Sequence, residues 1–305
     1  MSFDPQMLEH QSPHDIVCVS WEESACPLCD GARCVPLLEA ADPRRTGMRF
    51  LVVRCDRCDF VYTNPRPDAD SILAFYDDPG RNQLDLPTPR VSRGDAMCRR
   101  LARRRAGRLL DFGCGDGAFL AEMQRRGWEV AGLDTDEEAV ERAIELHGLP
   151  VELGTLPNPH WNASRFDAIT MRQSLEHVHR PLDTLREACQ LLTPSGVLMV
   201  SVPNFDSLAA GWFGPDWYAL DLPRHLSHFT PRTLHAILKK AGFDRIEIRA
   251  DRHASWIRHS VEHMICERIV GTSTRFMRTR IGSRLFSLTG MLMGKPESLL
   301  AVATK

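Results

Sequence analysis

The chain has 305 residues, of which 43% are hydrophobic and 26% charged, and its formal net charge is −2. That balance fits a soluble globular protein with one good core and a small second module, and it excludes a surface built throughout for nucleic acid. No uninterrupted apolar run could span a bilayer, and residues 1–11 lack the features of an export signal. A cytoplasmic protein is therefore expected, with its ten cysteines read as thiols or metal ligands.

Two cysteine pairs come first. Cys26-Pro-Leu-Cys29 and Cys55-Asp-Arg-Cys58 are separated by 25 residues. Two thiolates from each pair can complete a tetrahedral site, and the spacing resembles that of a zinc ribbon. Apolar runs at 50–53 and 60–63 suit a hairpin sheet too small to be stable without the ion. Four protein ligands leave no open position, so a Zn2+ here is expected to be structural. Cys34 is a fifth thiol that could replace one of the four. Residues 1–70 are expected to form this module, and 71–107 a connection punctuated by Pro79, Pro87 and Pro89. The arginine-rich segment 90–108 reads as a solvated helix face, with RNA contact as the alternative.

The run Leu109-Leu110-Asp111-Phe112-Gly113-Cys114-Gly115-Asp116-Gly117-Ala118-Phe119-Leu120 says more. An apolar strand ends in an acidic residue, turns on three alternating glycines and enters a helix. The glycines let backbone approach a ligand where a Cβ would collide. A second apolar strand, 129–133, ends in Asp134, placed to accept hydrogen bonds from a ribose. Gly113, Gly115 and Ala118 also satisfy the G-x-G-x-x-A pattern of dinucleotide sites. Charge separates the two readings. A pyrophosphate would meet Asp111 and Asp116 in a poorly solvated cleft, whereas the ammonium and sulfonium of S-adenosylmethionine are attracted by them.

On these residues the chain resembles class I S-adenosylmethionine-dependent methyltransferases. The resemblance implies cofactor contacts from Asp111, Gly113, Cys114, Gly115 and Gly117, from Asp134 and Thr135 at the ribose end, and from Met171. It also implies an α/β fold, a doubly wound Rossmann-like sheet over 108–305. The pattern agrees: Thr135-x-x-Glu138 reads as a capping box, 166–171 as a strand, and Pro181 as the start of a helix. Thr193-Pro-Ser-Gly196 reads as a turn before a buried strand at 197–202. A helix opened by Thr230-Pro231 and closed by Gly242 follows, then strands at 243–248 and 297–303.

Between the last two strands, 251–294 is too long for a tight connection. Its apolar residues, Trp256, Ile257, Val261, Met264, Ile265, Ile269, Phe276, Met277, Ile281, Leu285 and Phe286 among them, fall mostly at helical spacing. Arginines far outnumber glutamates there. A helical insertion above the active site is expected, able to act as a lid, to touch a membrane surface, or to pack on the sheet edge or a partner subunit of a homo-oligomer.

On the acceptor side, Gln173-Ser-Leu-Glu176-His177 follows the 166–171 strand, and Pro223-Arg-His225-Leu-Ser-His228-Phe follows the 197–202 strand. With Ser-Val-Pro-Asn at 201–204 they resemble a bacterial methyltransferase group often joined to an N-terminal zinc-binding module. An alcohol or enolisable carbon acceptor needs a proton removed, which a histidine in its ordinary range can do. His225 and His228 lead, with His177 next; each could equally be a hydrogen-bonded structural histidine. A second reading takes Gln173-x-x-Glu176-His177 with His225 as the metal pattern of small-RNA 2′-O-methyltransferases, or the related pair of ubiquinone-pathway O-methyltransferases, holding Mg2+. Gln173 stands where that pattern has Glu. The expected partner is a small-molecule acceptor, a sugar or secondary-metabolite intermediate methylated on oxygen or carbon, rather than nucleic acid. RNA methylation and a non-catalytic cofactor-binding regulator are the alternatives.

Overall fold

The computed structural model describes residues 19–42, 48–76, 95–158, 161, 165–266 and 272–305. Pro79, Pro87, Pro89, the start of the arginine-rich segment and Ile269 lie outside them. The N-terminal part supplies β1 (Trp21–Glu22), β2 (Cys34–Ala41), β3 (Arg49–Cys55), β4 (Val61–Thr63) and β5 (Arg66–Pro67). β2, β3 and β4 form an antiparallel meander, and β1 pairs with β5. The arginine-rich segment then gives the short helix α1 (Ala96–Leu101), whose N-terminus is capped by Asp95 through Cys98 N.

From Arg108 the chain alternates, with β6 (Arg108–Phe112), α2 (Ala118–Arg125), β7 (Glu129–Asp134), α3 (Glu137–His147), β8 (Val151–Leu153) and β9 (Phe166–Arg172). It continues through α4 (Pro181–Leu191), β10 (Leu192–Pro203), α5 (Leu208–Phe213), β11 (Ser227–His228), α6 (Pro231–Ala241) and β12 (Arg245–Asp251). The insertion contributes α7 (Ala254–Cys266), α8 (Thr272–Met277) and α9 (Arg280–Leu292), and β13 (Ser298–Thr304) ends the chain. Periodicity explains the helices. In α4, Pro181 sits at the first turn, and Leu182, Leu185, Ala188 and Leu191 are buried along one face.

The main sheet has seven strands in the order β12-β13-β10-β9-β6-β7-β8. β6, β7, β8, β9 and β10 are parallel, whereas β13 runs antiparallel to both its neighbours. Helices cover both faces, so the central strands read as continuous apolar runs: Leu109 and Leu110 are both fully buried. The chain leaves β6 toward β7 on one side and returns to β9 on the other. The crevice at that reversal, at the carboxyl ends of the strands, is where such sheets bind ligands.

Two local expectations change. α3 is capped by the Asp136 side chain, which accepts from Ala139 N, so the helix begins one residue later than the Thr135 box required. A carboxylate caps at least as well as a hydroxyl, and Asp136 is one position closer to the free amides. The expected turn at 193–196 is absorbed into β10 as an irregularity in its pairing with β9. The N-terminal meander gains a fourth strand, β11, which the chain supplies only after β10. Phe60 packs edge-on against Phe229, with ring centres 5.5 Å apart, and this cluster is continuous with the main core.

Candidate active site

The donor side is built by the turn after β6. Gly113, Gly115 and Gly117 all have positive φ, at 74°, 54° and 76°. Gly113 has a second reason to lack a side chain, since a Cβ there would lie 2.5 Å from the Ser174 Cβ. Gly115 faces open space. The Asp134 carboxylate accepts from Gly115 N at 2.7 Å and Asp136 N at 3.0 Å, tying the tip of β7 to the glycine turn. It therefore braces the turn.

Asp111 is fully buried and accepts from Thr170 Oγ1 at 2.6 Å. Burial pushes its carboxyl up to about 7, against the pull of the nearby Arg172. A ligand cation beside it would restore the ionised form. Arg172 is held by Asp95 at 2.9 Å and lies over the Phe119 ring at 4.4 Å. Cys114 is a buried filler between α2 and the sheet, its thiol pushed upward by burial, so it can meet a ligand only through backbone. Thr135 is exposed at the end of β7. Met171 is completely buried in the sheet core and presents no surface to the crevice.

Ser174 joins this turn to the acceptor side. Its hydroxyl donates to Phe112 O at 2.8 Å, and the chain then turns through Glu176 and His177. Leu226 N donates to Glu176 O, which brings the His225 loop alongside. The His177 and His225 rings meet edge-on with centres 4.6 Å apart. Glu176, His177 and His225 place ligand atoms within 4.8 Å of one another. Gln173 does not join them. Its amide donates to Ser201 Oγ at 2.8 Å and turns toward β10 and β13, so three of the four residues of the sequence metal pattern converge and the fourth is directed elsewhere.

A backbone carbonyl fixes the His225 tautomer. His177 Nδ1 lies 3.0 Å from Arg224 O, and His225 Nδ1 lies 2.9 Å from Ala219 O. A carbonyl only accepts, so His225 Nδ1 carries the proton and its Nε2 keeps its lone pair, whereas His177 Nδ1 is shared between Arg224 O and the Tyr76 hydroxyl. The Asp221 carboxylate stands 3.9 Å from His225 Nε2. His228 differs. Thr63 donates to His225 O at 2.9 Å, which leaves the same hydroxyl oxygen to accept from His228 Nε2 at 3.1 Å. That nitrogen is occupied by the fold, and β11 is held to β4 by it.

Burial controls the charges here. It drives His177 down to about 3, His225 to about 4 and His228 to about 3, and Glu176 up to about 8. At neutral pH all three imidazoles are uncharged and Glu176 is mostly protonated. A proton-transfer group titrating in the ordinary histidine range is thus replaced by one titrating well below it. Neither Glu176 oxygen has a hydrogen-bond partner among the described residues.

Several residues of this side were not singled out from the sequence. Arg224 is fully buried and donates to Asp221, Asp42 and Phe75 O, pinning the loop from beneath. Tyr76 Oη contacts His177 Nδ1 at 2.9 Å. Thr63 links the N-terminal meander to His225 and His228. Their signal is spatial, since Thr63 and His225 are 162 positions apart. The insertion also bears on the loop: Ser260 Oγ of α7 accepts from Tyr218 N, one residue before the carbonyl that holds His225.

The four knuckle cysteines converge as well. Cys26 and Cys58 Sγ are 3.5 Å apart, as are Cys29 and Cys55 Sγ, and all four sulfurs lie within 4.8 Å. A tetrahedral Zn–S bond of about 2.3 Å implies S–S edges of about 3.8 Å, so the donor set fits that ion. Asp30 and Asp59 follow the two knuckles at equivalent places with φ of 58° and 60°. Cys34 stands opposite Cys55 in the β2–β3 ladder and outside the cluster.

A glycine turn braced by a strand-terminal Asp, on a sheet of this order, defines a class I nucleoside-cofactor fold. The family described as methyltransferase domain matches residues 92–248, and the chain belongs to this family of S-adenosylmethionine-dependent methyltransferases. A ubiquinone biosynthesis O-methyltransferase of Cereibacter sphaeroides is 32% identical over 155 residues, covering 46% of this chain and 61% of that protein. One from Xanthomonas axonopodis is 31% identical over 164 residues, covering 49% and 67%. The chain thus spans about three-fifths of the first of these relatives. Among solved structures, an Archaeoglobus fulgidus S-adenosylmethionine-dependent methyltransferase aligns with a TM-score of 0.47 at 19% identity, covering 69% of this chain and 92% of its own.

Proposed function

We propose that the protein transfers a methyl group from S-adenosylmethionine to a hydroxyl of a small-molecule acceptor, with His225 Nε2 receiving the hydroxyl proton. The observation that carries this reading is the pair of neutral imidazoles, His177 and His225, whose ring centres lie 4.6 Å apart just after Ser174, the residue packed on the glycine turn. The names of the curated relatives support oxygen as the acceptor atom. The sugar or secondary-metabolite acceptor expected from the sequence is a narrower form of the same reading.

S-adenosylmethionine supplies an electrophilic methyl on a sulfonium. The acceptor oxygen attacks in line, the C–O bond forms as the C–S bond breaks, and S-adenosylhomocysteine leaves. The positive charge lost at sulfur reappears on His225, where Asp221 is positioned to offset it. Nδ1 remains bonded to Ala219 O throughout, which keeps Nε2 aimed. Alignment and exclusion of water supply the rest, with the 218–220 segment and α7 covering this side. The test is turnover of His225→Ala on a catechol or phenol panel. Full activity in that variant would remove the proton-transfer role.

The buried, unpartnered Glu176 carboxyl favours a second reading, a divalent cation held by Glu176, His177 and His225 that polarises the acceptor hydroxyl. Two imidazoles and one carboxylate suit a transition metal better than the Mg2+ the sequence pattern suggested, because Mg2+ takes oxygen ligands. Chelator separates the readings: under proton transfer activity survives it, and under metal catalysis activity is lost and then restored by added metal.

We also infer a structural zinc at Cys26, Cys29, Cys55 and Cys58, supported by sulfur spacing alone. Elemental analysis should find one zinc per chain, lost in Cys55→Ser/Cys58→Ser; no stoichiometric zinc in the wild type would refute it.

A further inference from the structure

Helix α9 is built with its small residues inward. Gly282, Ser283, Ser287 and Gly290 are buried, and a Cβ at Gly282 would collide with the backbone of Phe276. The close approach leaves the large side chains outside. Ile281, Leu285, Leu288 and Leu292, spaced by four, three and four residues, form one exposed stripe, with Ile281 68% and Leu292 80% accessible. Met291 and Met293 extend it at the C-terminal end and Phe276 on α8 at the other. Trp212 of α5, half-exposed, packs its ring edge-on against Phe286 at 5.8 Å beside this stripe. Scattered exposed apolar residues are ordinary, but a contiguous stripe on one helix implies a partner.

Charge identifies the kind of partner. Residues 272–296 contain Arg275, Arg278, Arg280, Arg284 and Lys295 and no Asp or Glu. All five cations are exposed, and among the described residues Lys295 alone pairs with an acidic side chain, Asp206 at 3.6 Å. A second copy meeting this face in a two-fold contact would set arginines against arginines. An apolar stripe edged by cations instead matches a helix lying in the headgroup layer of an anionic bilayer.

We propose that α8, α9 and Trp212 dock this enzyme on an anionic lipid surface. The α9 stripe enters the acyl boundary, and the arginines meet lipid phosphates. No helix among the described residues is long and apolar enough to cross a membrane, so the contact is peripheral. α7, in the same insertion, braces the segment that holds His225, so docking places the cover of the acceptor side at the lipid interface. Methyl donor binding plays no part in this contact.

Vesicle flotation of the full chain tests the proposal, using phosphatidylcholine with and without phosphatidylglycerol. The wild type should float with the anionic vesicles, less at high salt, and stay behind with phosphatidylcholine alone. Ile281→Gln/Leu285→Gln/Leu292→Gln should weaken flotation by at least about tenfold, because the inserted area is lost. Arg278→Gln/Arg280→Gln/Arg284→Gln should weaken it and flatten its salt dependence. Both triple variants should keep the wild-type melting temperature and S-adenosylmethionine affinity, since every changed side chain is exposed. Three results would overturn the proposal: no wild-type flotation on anionic vesicles, variants that float like the wild type, or a solution dimer that the apolar variant converts to monomer.

Discussion

The two halves of the proposed active site are assembled in different ways. The donor half lies within residues 111–134 and consists mainly of backbone: three left-handed glycines and a carboxylate that ties them to the next strand. The acceptor half draws Thr63, Tyr76, Glu176, His177, Asp221, Arg224 and His225 from four separate stretches of chain. A cofactor common to many enzymes can be held by a local device. An acceptor pocket has to be shaped by packing, and here the N-terminal meander takes part in it through Thr63. The two halves should therefore fail separately when mutated.

His225→Ala should show the largest effect. Turnover should fall by about 10²-fold or more while S-adenosylmethionine affinity stays at the wild-type value, as expected when a proton acceptor acts only in the chemical step. Because burial puts His225 near 4, the wild-type rate should be flat across neutral pH and decline only in acid. A rate that instead rises through pH 6–7 would mean that the imidazole is far more solvated than its packing implies.

Asp134→Ala strikes the other half. It removes the acceptor for Gly115 N and Asp136 N and the carboxylate proposed to face the ribose. Donor affinity should weaken by about 1–3 kcal/mol, which calorimetry can read directly.

The legibility of each half from sequence follows the same division. Gly113, Gly115, Gly117 and Asp134 could be read because their chemistry is written at fixed short spacing. The alternation of apolar runs and helices marked the doubly wound α/β class, while the strand order came from the structure alone. β2 was missed because Pro36 and Glu39 interrupt its apolar alternation, and β11 because a two-residue strand has no period. Gln173 shows the limit of motif matching. Its place in the pattern is correct, but a φ of 54° turns the chain there, and the amide is taken up by Ser201. The burial that shifts the histidines is likewise a property of the folded pocket and leaves no mark at 177, 225 or 228 in the sequence.

Acid should damage the acceptor half first. His177, His225 and His228 have folded-state values depressed below the ordinary 6.5, so their contribution to stability is complete above that value and is lost as pH falls toward 3–4. Melting temperature should decline below about pH 6.5. His228→Gln should reduce the slope; an unchanged slope would show that His228 is not held neutral.

Thr63→Val should have the smallest effect. It deletes the hydroxyl that donates to His225 O and accepts from His228, at a cost of about 1–2 kcal/mol in stability and a few-fold drop in turnover. Donor affinity should not change. A loss of donor binding in this variant would mean that the meander supports the whole site rather than its acceptor side.

Calorimetric titration of S-adenosylhomocysteine into the wild type, Asp134→Ala and His225→Ala puts the division to its most direct test. The prediction is tight binding to the wild type, an unchanged affinity in His225→Ala and an affinity weakened by roughly 10- to 100-fold in Asp134→Ala. Equal weakening in both variants, or a wild type that does not bind the ligand at all, would contradict it.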